Sequence, residues 1–240
     1  SSSSLIPHPS SLPAAGLNIT EMCLDRWQTD EMRDQPAVIW EGEEGYVDSR
    51  TYAELFADVN ECAAGLRSYG FDWGDAIGIH MPMAVETVIV LLAINRIGAI
   101  AVPVFSGYGV DAIASRLNAV AAKGLFTYNR FPRRGKDFKA FDIAGEAVAN
   151  CPTITKVFVV GRDVTDDYPD FSTLTGTFED FHVLTMEGDE FVESRSYAEP
   201  TSAEDPLIIL YTSGTTGKPK GIAHTHASFP LKAAQDMAFG

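Results

Sequence analysis

From residue 76 to residue 160, apolar stretches of strand character alternate with stretches of helical periodicity, and few folds satisfy that alternation. Ala76 to His80 reads as a strand, Met81-Pro82-Met83 as a turn, and Ala84 to Ile97 as a helix. That helix is apolar nearly all round, with Glu86, Asn95 and Arg96 as the exceptions, as for a helix buried on more than one side. Ala99 to Val104 is a strand suited to a sheet centre. Val110 to Ala122 reads as a helix, Leu125 to Tyr128 as a strand, Lys136 to Asn150 as a helix and Val157 to Val160 as a strand. Strands joined by helical crossovers lie parallel, so the expected class is α/β, with parallel-sheet layers covered by helices. In such sheets ligands bind beyond the carboxyl ends of the strands.

On the amino-terminal side, Thr51 to Tyr69 reads as the clearest helix. Thr51 and Glu54 form a capping box, Tyr52, Leu55, Phe56, Val59, Cys62, Ala63 and Leu66 recur on one face, and Gly70 ends it. Asn18 to Met32 reads as a helix, and Ala37 to Trp40 as a strand turned by Glu41 to Gly45 onto Tyr46 to Arg50. Residues 1–16, rich in Ser and Pro, read as a mobile tail ahead of one domain over 17–240. Residues 161–205 are acidic, and surface turns with one strand at Phe181 to Leu184 are expected there. Leu207 to Tyr211 is a strand, and a helix is expected from about Thr225 to Ala238.

Composition excludes several classes. The 240 residues are 45% hydrophobic, enough for a sizeable core, and carry a formal net charge of −15, which argues against binding nucleic acid or an anionic membrane. Cys23, Cys62 and Cys151 are odd in number and far apart, which suits neither a disulfide framework nor a zinc cluster. The first residues have neither the basic region nor the apolar core of a signal peptide. The longest wholly apolar run, Val88 to Ile94, is too short to span a bilayer. A soluble, cytoplasmic protein is expected, and the sequon Asn18-Ile19-Thr20 is read as chance.

Tyr211 to His224 reads YTSGTTGKPKGIAH. Gly214 and Gly217 allow backbone angles that let amide N–H groups converge on an anion. Thr212, Ser213, Thr215 and Thr216 add hydroxyl donors, and Lys218 and Lys220 add positive charge. These residues suit a polyphosphate held at the end of a buried strand. The P-loop pattern, G-x-x-x-x-G-K followed by Ser or Thr, fails twice: Thr212 stands where its first Gly belongs, and Pro219 where its magnesium-binding hydroxyl belongs.

The stretch instead resembles the signature loop of the adenylate-forming superfamily, the acyl-CoA synthetases and their relatives. That loop reads Tyr or Phe, then T-S-G, then Ser or Thr, then T-G-x-P-K-G, and every position matches from Tyr211 to Gly221. CLDRW at 23, VIWEGE at 38, TYAEL at 51, GDAIGIHMPM at 74, RIGAIAVPVFSGY at 96 and AEDPLIILYTSG at 203 extend the resemblance, which favours the acetyl- and propionyl-CoA synthetase branch. It implies the amino-terminal part of that family's large domain. It also implies ATP, Mg2+ and coenzyme A beside a small carboxylic acid such as acetate. Thr212, Ser213, Gly214, Thr215, Thr216, Gly217, Lys218 and Lys220 would hold ATP and then pyrophosphate.

Arg133-Arg134-Gly135-Lys136 resembles the R-x-G-R segment that binds the nucleotide end of coenzyme A. Lys136 keeps the charge of the second arginine but loses its bidentate fork. Gly107 matches a turn near the same cofactor. The family's later Y-G-x-T-E segment, ribose-binding Asp, hinge and small domain with its lysine have no counterpart here. No catalytic residue is assigned within these 240 residues, and alone they are expected not to turn over. The alternatives are a synthetase for a longer acid and a non-catalytic nucleotide-binding module. His224 and His226 make poor metal geometry and read as loop residues packing near the nucleotide.

Overall fold

The computed structural model describes residues 16–43, 45–161, 178–212 and 219–239. Of the expected tail, residues 1–15 lie outside the described residues. The described chain opens with α1 (Ile19–Cys23), a 3₁₀ turn at Asp25–Trp27, and the antiparallel hairpin of β1 (Pro36–Glu41) and β2 (Val47–Thr51). The long helix expected from Asn18 is therefore a short one. Asn18 caps it, and its buried side-chain amide donates to the carbonyls of Asn95, Arg96 and Glu199. Those bonds fix the entry of the chain and leave the sequon's amide fully engaged. Arg96, itself buried, closes the same corner with a two-pronged bond to Asp25 at 2.8 and 3.0 Å.

Next come α2 (Tyr52–Ser68), β3 (Ala76–His80), α3 (Val85–Arg96), β4 (Ile100–Pro103), α4 (Val110–Ala119) and β5 (Gly124–Tyr128). The capping box of α2 is formed by Thr51 and Glu54 in both directions. A small hairpin, β6 (Phe131–Arg133) with β7 (Lys136–Phe138), precedes α5 (Ala140–Val148). Lys136 is thus a strand residue, and the helix expected from it begins four residues later. Arg134 and Gly135 both take positive φ, 52° and 70°, which turns the chain back on itself as a two-residue hairpin loop does.

Strand β8 (Lys156–Val160) and the short β9 (Phe178–Asp180) follow, then α6 (Phe181–Arg195), β10 (Pro206–Thr212), β11 (Lys220–Thr225) and α7 (Ser228–Phe239). The strand expected at Phe181 to Leu184 is the first turn of α6, capped by Asp180 accepting from the His182 amide. Helix α6 lies against α2 at a backbone-to-backbone approach. A Cβ on Gly188 would fall 1.8 Å from the Glu61 carbonyl oxygen, and one on Gly65 would fall 2.3 Å from that of Leu184. His224 belongs to a strand rather than to a helix start, and α7 begins only at Ser228.

The main sheet has seven strands in the order β11-β10-β4-β3-β5-β8-β9. All neighbours are parallel except β10 and β11, which form an antiparallel edge pair. Strands β3 and β5 are buried at every residue, as for strands covered on both faces. One core cluster, with Leu55, Ile79, Ile94, Phe126 and Phe158, packs on α2, α3 and α6; the other, with Val102, Ile113, Leu125 and Val157, packs on α4 and α5. The α/β class holds.

Candidate functional site

Because β3, β4 and β10 run parallel, their carboxyl ends share one edge of the sheet. His80 ends β3, Phe105-Ser106-Gly107 follow β4, and Thr212 ends β10. Strand β10 lies beside β4, with Ile208 opposite Ala101. The glycine-and-hydroxyl segment leaves β10 at this edge and returns as β11. Thr212 faces Lys220 across the antiparallel pair, so these two close its base. Both are exposed. Ser213, Gly214, Thr215, Thr216, Gly217 and Lys218 lie outside the described residues. Gly221 sits in β11 under the Tyr211 ring, where a Cβ would come within 3.3 Å of the ring and 3.1 Å of Ile209.

At the end of the neighbouring strand β4 a basic cradle is assembled from two segments. The Arg133 guanidinium lies 4.9 Å from the Phe105 ring centroid and 5.8 Å from that of Phe138. A Cβ on Gly107 would fall 2.0 Å from Arg133 Nη1, so the glycine leaves the volume that the guanidinium fills. Arg133 and Lys136 pair in register on the β6–β7 hairpin, which sets their two charges beside each other. The Arg134 amide donates to Glu43 Oε2 at 2.7 Å, fastening the hairpin to the β1–β2 turn. Gly107 and Arg133, 26 positions apart in the chain, are therefore in contact. Phe105, Phe138 and Glu43 belong to the same cradle. Phe105 stands inside the FSGY turn, but nothing in the sequence points to Phe138 or Glu43.

Between the end of β10 and the cradle stands Arg116 of α4. Its guanidinium carbon lies 4.2 Å from the Tyr108 ring centroid and 5.5 Å from that of Tyr211, and the Tyr211 hydroxyl donates to the Arg116 carbonyl at 2.9 Å. Burial raises the Tyr211 phenol pKa, and the Arg116 cation works against that rise.

Two histidines are fully buried, His80 at this edge and His226 at the opposite one, past the Thr225 that pairs with Pro206 at the start of β10, so His226 does not sit beside the segment that follows β10. Burial pushes His80 down to about 4, opposed only by the Ser106 backbone, and its Nδ1 lies 3.3 Å from Thr127 Oγ1. His226 is lowered by burial too, against the pull of Asp205; its Nδ1 accepts the Ile19 amide at 3.1 Å, so it is a packing residue that ties the amino-terminal segment to β11. Among the described residues no three His, Cys, Asp or Glu side chains gather as a metal site.

Comparison with known proteins agrees with this geometry. Residues 24–239 match the family model described as AMP-binding enzyme. The chain is 38% identical over 215 residues to acetyl-coenzyme A synthetase of Gemmatimonas aurantiaca, covering 89% of this chain and 32% of that protein. It is 41% identical over 206 residues to acetyl-coenzyme A synthetase of Rhodopirellula baltica, covering 83% and 30%. Among solved structures, acetoacetyl-CoA synthetase from Streptomyces lividans superposes with a TM-score of 0.81 at 27% identity, over 97% of this chain and 34% of that one. The chain thus spans about a third of the length of these relatives. Its match from Leu24 onward, its parallel sheet and the signature segment at the end of β10 agree on one assignment: the chain belongs to the AMP-binding enzyme family.

Proposed function

We propose that this chain is part of an ATP-dependent acyl-CoA synthetase that activates a short-chain carboxylic acid such as acetate as its acyl adenylate and transfers the acyl group to coenzyme A. The carrying observation is that the carboxyl ends of adjacent parallel strands bear a hydroxyl-and-lysine segment on β10 and an arginine cradle beyond β4. In this reading a carboxylate oxygen attacks the α-phosphorus of ATP and pyrophosphate leaves with its electron pair. The thiol of coenzyme A, having lost its proton, then attacks the acyl carbon and AMP leaves.

The first step brings an anion to an anion, so the protein's part is to neutralise charge and align the attack. Thr212, Ser213, Gly214, Thr215, Thr216, Gly217, Lys218 and Lys220 hold the β- and γ-phosphates. Mg2+ would come with the nucleotide and supply charge neutralisation at the phosphates, since no group of three His, Cys, Asp or Glu gathers among the described residues to hold it. Arg133 and Lys136, with Arg134, Gly135 and Gly107, whose missing side chain makes room for the Arg133 guanidinium, receive the phosphate-bearing end of coenzyme A. A longer acid is the second reading, favoured by the likeness to the acetoacetyl-CoA synthetase.

The test uses the protein expressed from its whole reading frame, with an acid panel read by AMP formation and the first step read by acid-dependent pyrophosphate exchange. Lys220→Ala is expected to remove about 2.7–4 kcal/mol of transition-state stabilisation, if it acts as an oxyanion-hole donor does. Unchanged exchange would refute the phosphate role.

A further inference from the structure

We propose that Arg116 is a positioning residue for coenzyme A, a stacked guanidinium that holds the cradle at a fixed place relative to the strand carrying the phosphate segment. The inference rests on the reading of the Arg133 hairpin as the coenzyme A site. Its basis is a continuous run of contacts. Tyr211, next to Thr212, donates its hydroxyl to the Arg116 carbonyl at 2.9 Å. The Arg116 guanidinium lies over the Tyr108 ring at 4.2 Å. The Tyr108 ring meets Phe105 edge-on, 5.4 Å between centroids with planes 80° apart, and the Tyr108 amide donates to the Phe105 carbonyl. The Phe105 ring in turn lies under Arg133. Four side chains therefore connect the end of β10 to the arginine that fills the space beside Gly107.

The way Arg116 is held fits positioning rather than phosphate capture. Its Nη1 donates to the Ala112 carbonyl one turn back at 2.7 Å, and its Nε is buried with no hydrogen-bond partner. Its contacts among the described residues are two aromatic rings and a carbonyl. A planar, weakly hydrated guanidinium can lie flat between rings in this way, and an ammonium cannot, so Lys is a poor substitute. Without that plane the Tyr108 ring loses its cover, the Phe105–Tyr108 pair is free to turn, and Arg133 loses the surface that sets its fork.

The experiment measures both half-reactions in the protein expressed from its whole reading frame. Arg116→Gln and Tyr108→Leu are each expected to raise the KM for coenzyme A about tenfold while pyrophosphate exchange changes less than twofold. Tyr108→Phe, which keeps the ring, is expected to restore what Tyr108→Leu loses. An unmoved KM for coenzyme A in both variants overturns the proposal. So does an equal loss in both half-reactions accompanied by a lower Tm, the mark of a merely structural arginine. If Arg116→Gln fails to fold, the Tyr108→Leu and Tyr108→Phe pair decides alone. Arg133→Ala separates the two readings. A KM for coenzyme A left unmoved by Arg133→Ala sinks the site itself. A KM raised by Arg133→Ala but not by the Arg116 and Tyr108 variants sinks only the role of Arg116.

Discussion

Strands β3 and β11 belong to one sheet, yet all five residues of β3 are buried while four of the six in β11 are exposed. The helices beside them differ in the same way. Helix α3 buries Val85, Ile89, Val90, Ala93 and Ile94, whereas α7 buries no residue, and Met237 and Phe239 stand 89% and 88% exposed. The burial that stabilises the described chain is therefore concentrated around β3, β5 and β8. Thr212 and Lys220, which end β10 and begin β11, lie on the thinly covered side. The contrast is one of cover within a single sheet. It predicts that equal substitutions have very unequal effects on the two sides.

The largest effect belongs to the middle. Phe126 is fully buried, with its ring centroid 4.9 Å from that of Phe158 and 6.2 Å from that of Phe181. Phe126→Ala should lower stability by about 3–5 kcal/mol, measured by urea unfolding, because the space it leaves is walled by two packed elements. A loss under about 1 kcal/mol would show that the middle of the sheet is far more compliant than its burial indicates.

The same burial sets a pH dependence. The fold favours neutral His80, whose pKa falls from an ordinary 6.5 to about 4. Between those values the unfolded chain binds more protons than the folded one, so stability rises with pH across the window and is lost as pH falls through it. At 1.36 kcal/mol per pKa unit the loss from pH 6.5 to 4 is about 3 kcal/mol. His226 is lowered in the same direction, so His80→Asn should flatten part of the slope and leave the rest. A slope identical in His80→Asn and the parent would remove His80 from the account.

What the sequence disclosed follows the same division. Strands β3, β4, β5 and β8 and helix α2 were legible because burial on both faces writes long apolar runs, and because the Thr51–Glu54 box marks a helix start. Helix α6 was not, because its packing surface is built by absence. Gly188 and Gly65 permit the approach to α2, and a glycine inside an acidic stretch reads as a turn. The β6–β7 hairpin reads in sequence as a helix start because Arg134 in the left-handed region gives no compositional signal. At the candidate site, the resemblance points to Gly107 and Arg133 separately, and their contact is legible in neither segment alone. Glu43 reaches the site through a contact 91 positions along the chain and Arg116 meets Tyr211 across 95, while Phe138 comes to Arg133 only once the β6–β7 hairpin forms.

The glycine contact gives the next smaller effect. A methyl on Gly188 would meet the Glu61 carbonyl oxygen at 1.8 Å, a backbone atom that no rotamer change can move aside. Gly188→Ala should therefore part α6 from α2 and cost about 1–3 kcal/mol, as overpacking does, although Ala is the better helix former. A gain in stability would mean that the two helices do not pack through this glycine.

Smallest is the effect on the open side. Met237 makes little of the fold's buried surface, so Met237→Ser should change stability by no more than about 0.5 kcal/mol, read by the same urea titration of the 240-residue chain. The matched expectation is what gives the measurement force. Both Met237 and Phe126 are large apolar side chains on regular elements, and only their cover differs. If Met237→Ser cost as much as Phe126→Ala, α7 would have to be packed against something, and the contrast between the two ends of the sheet would fail.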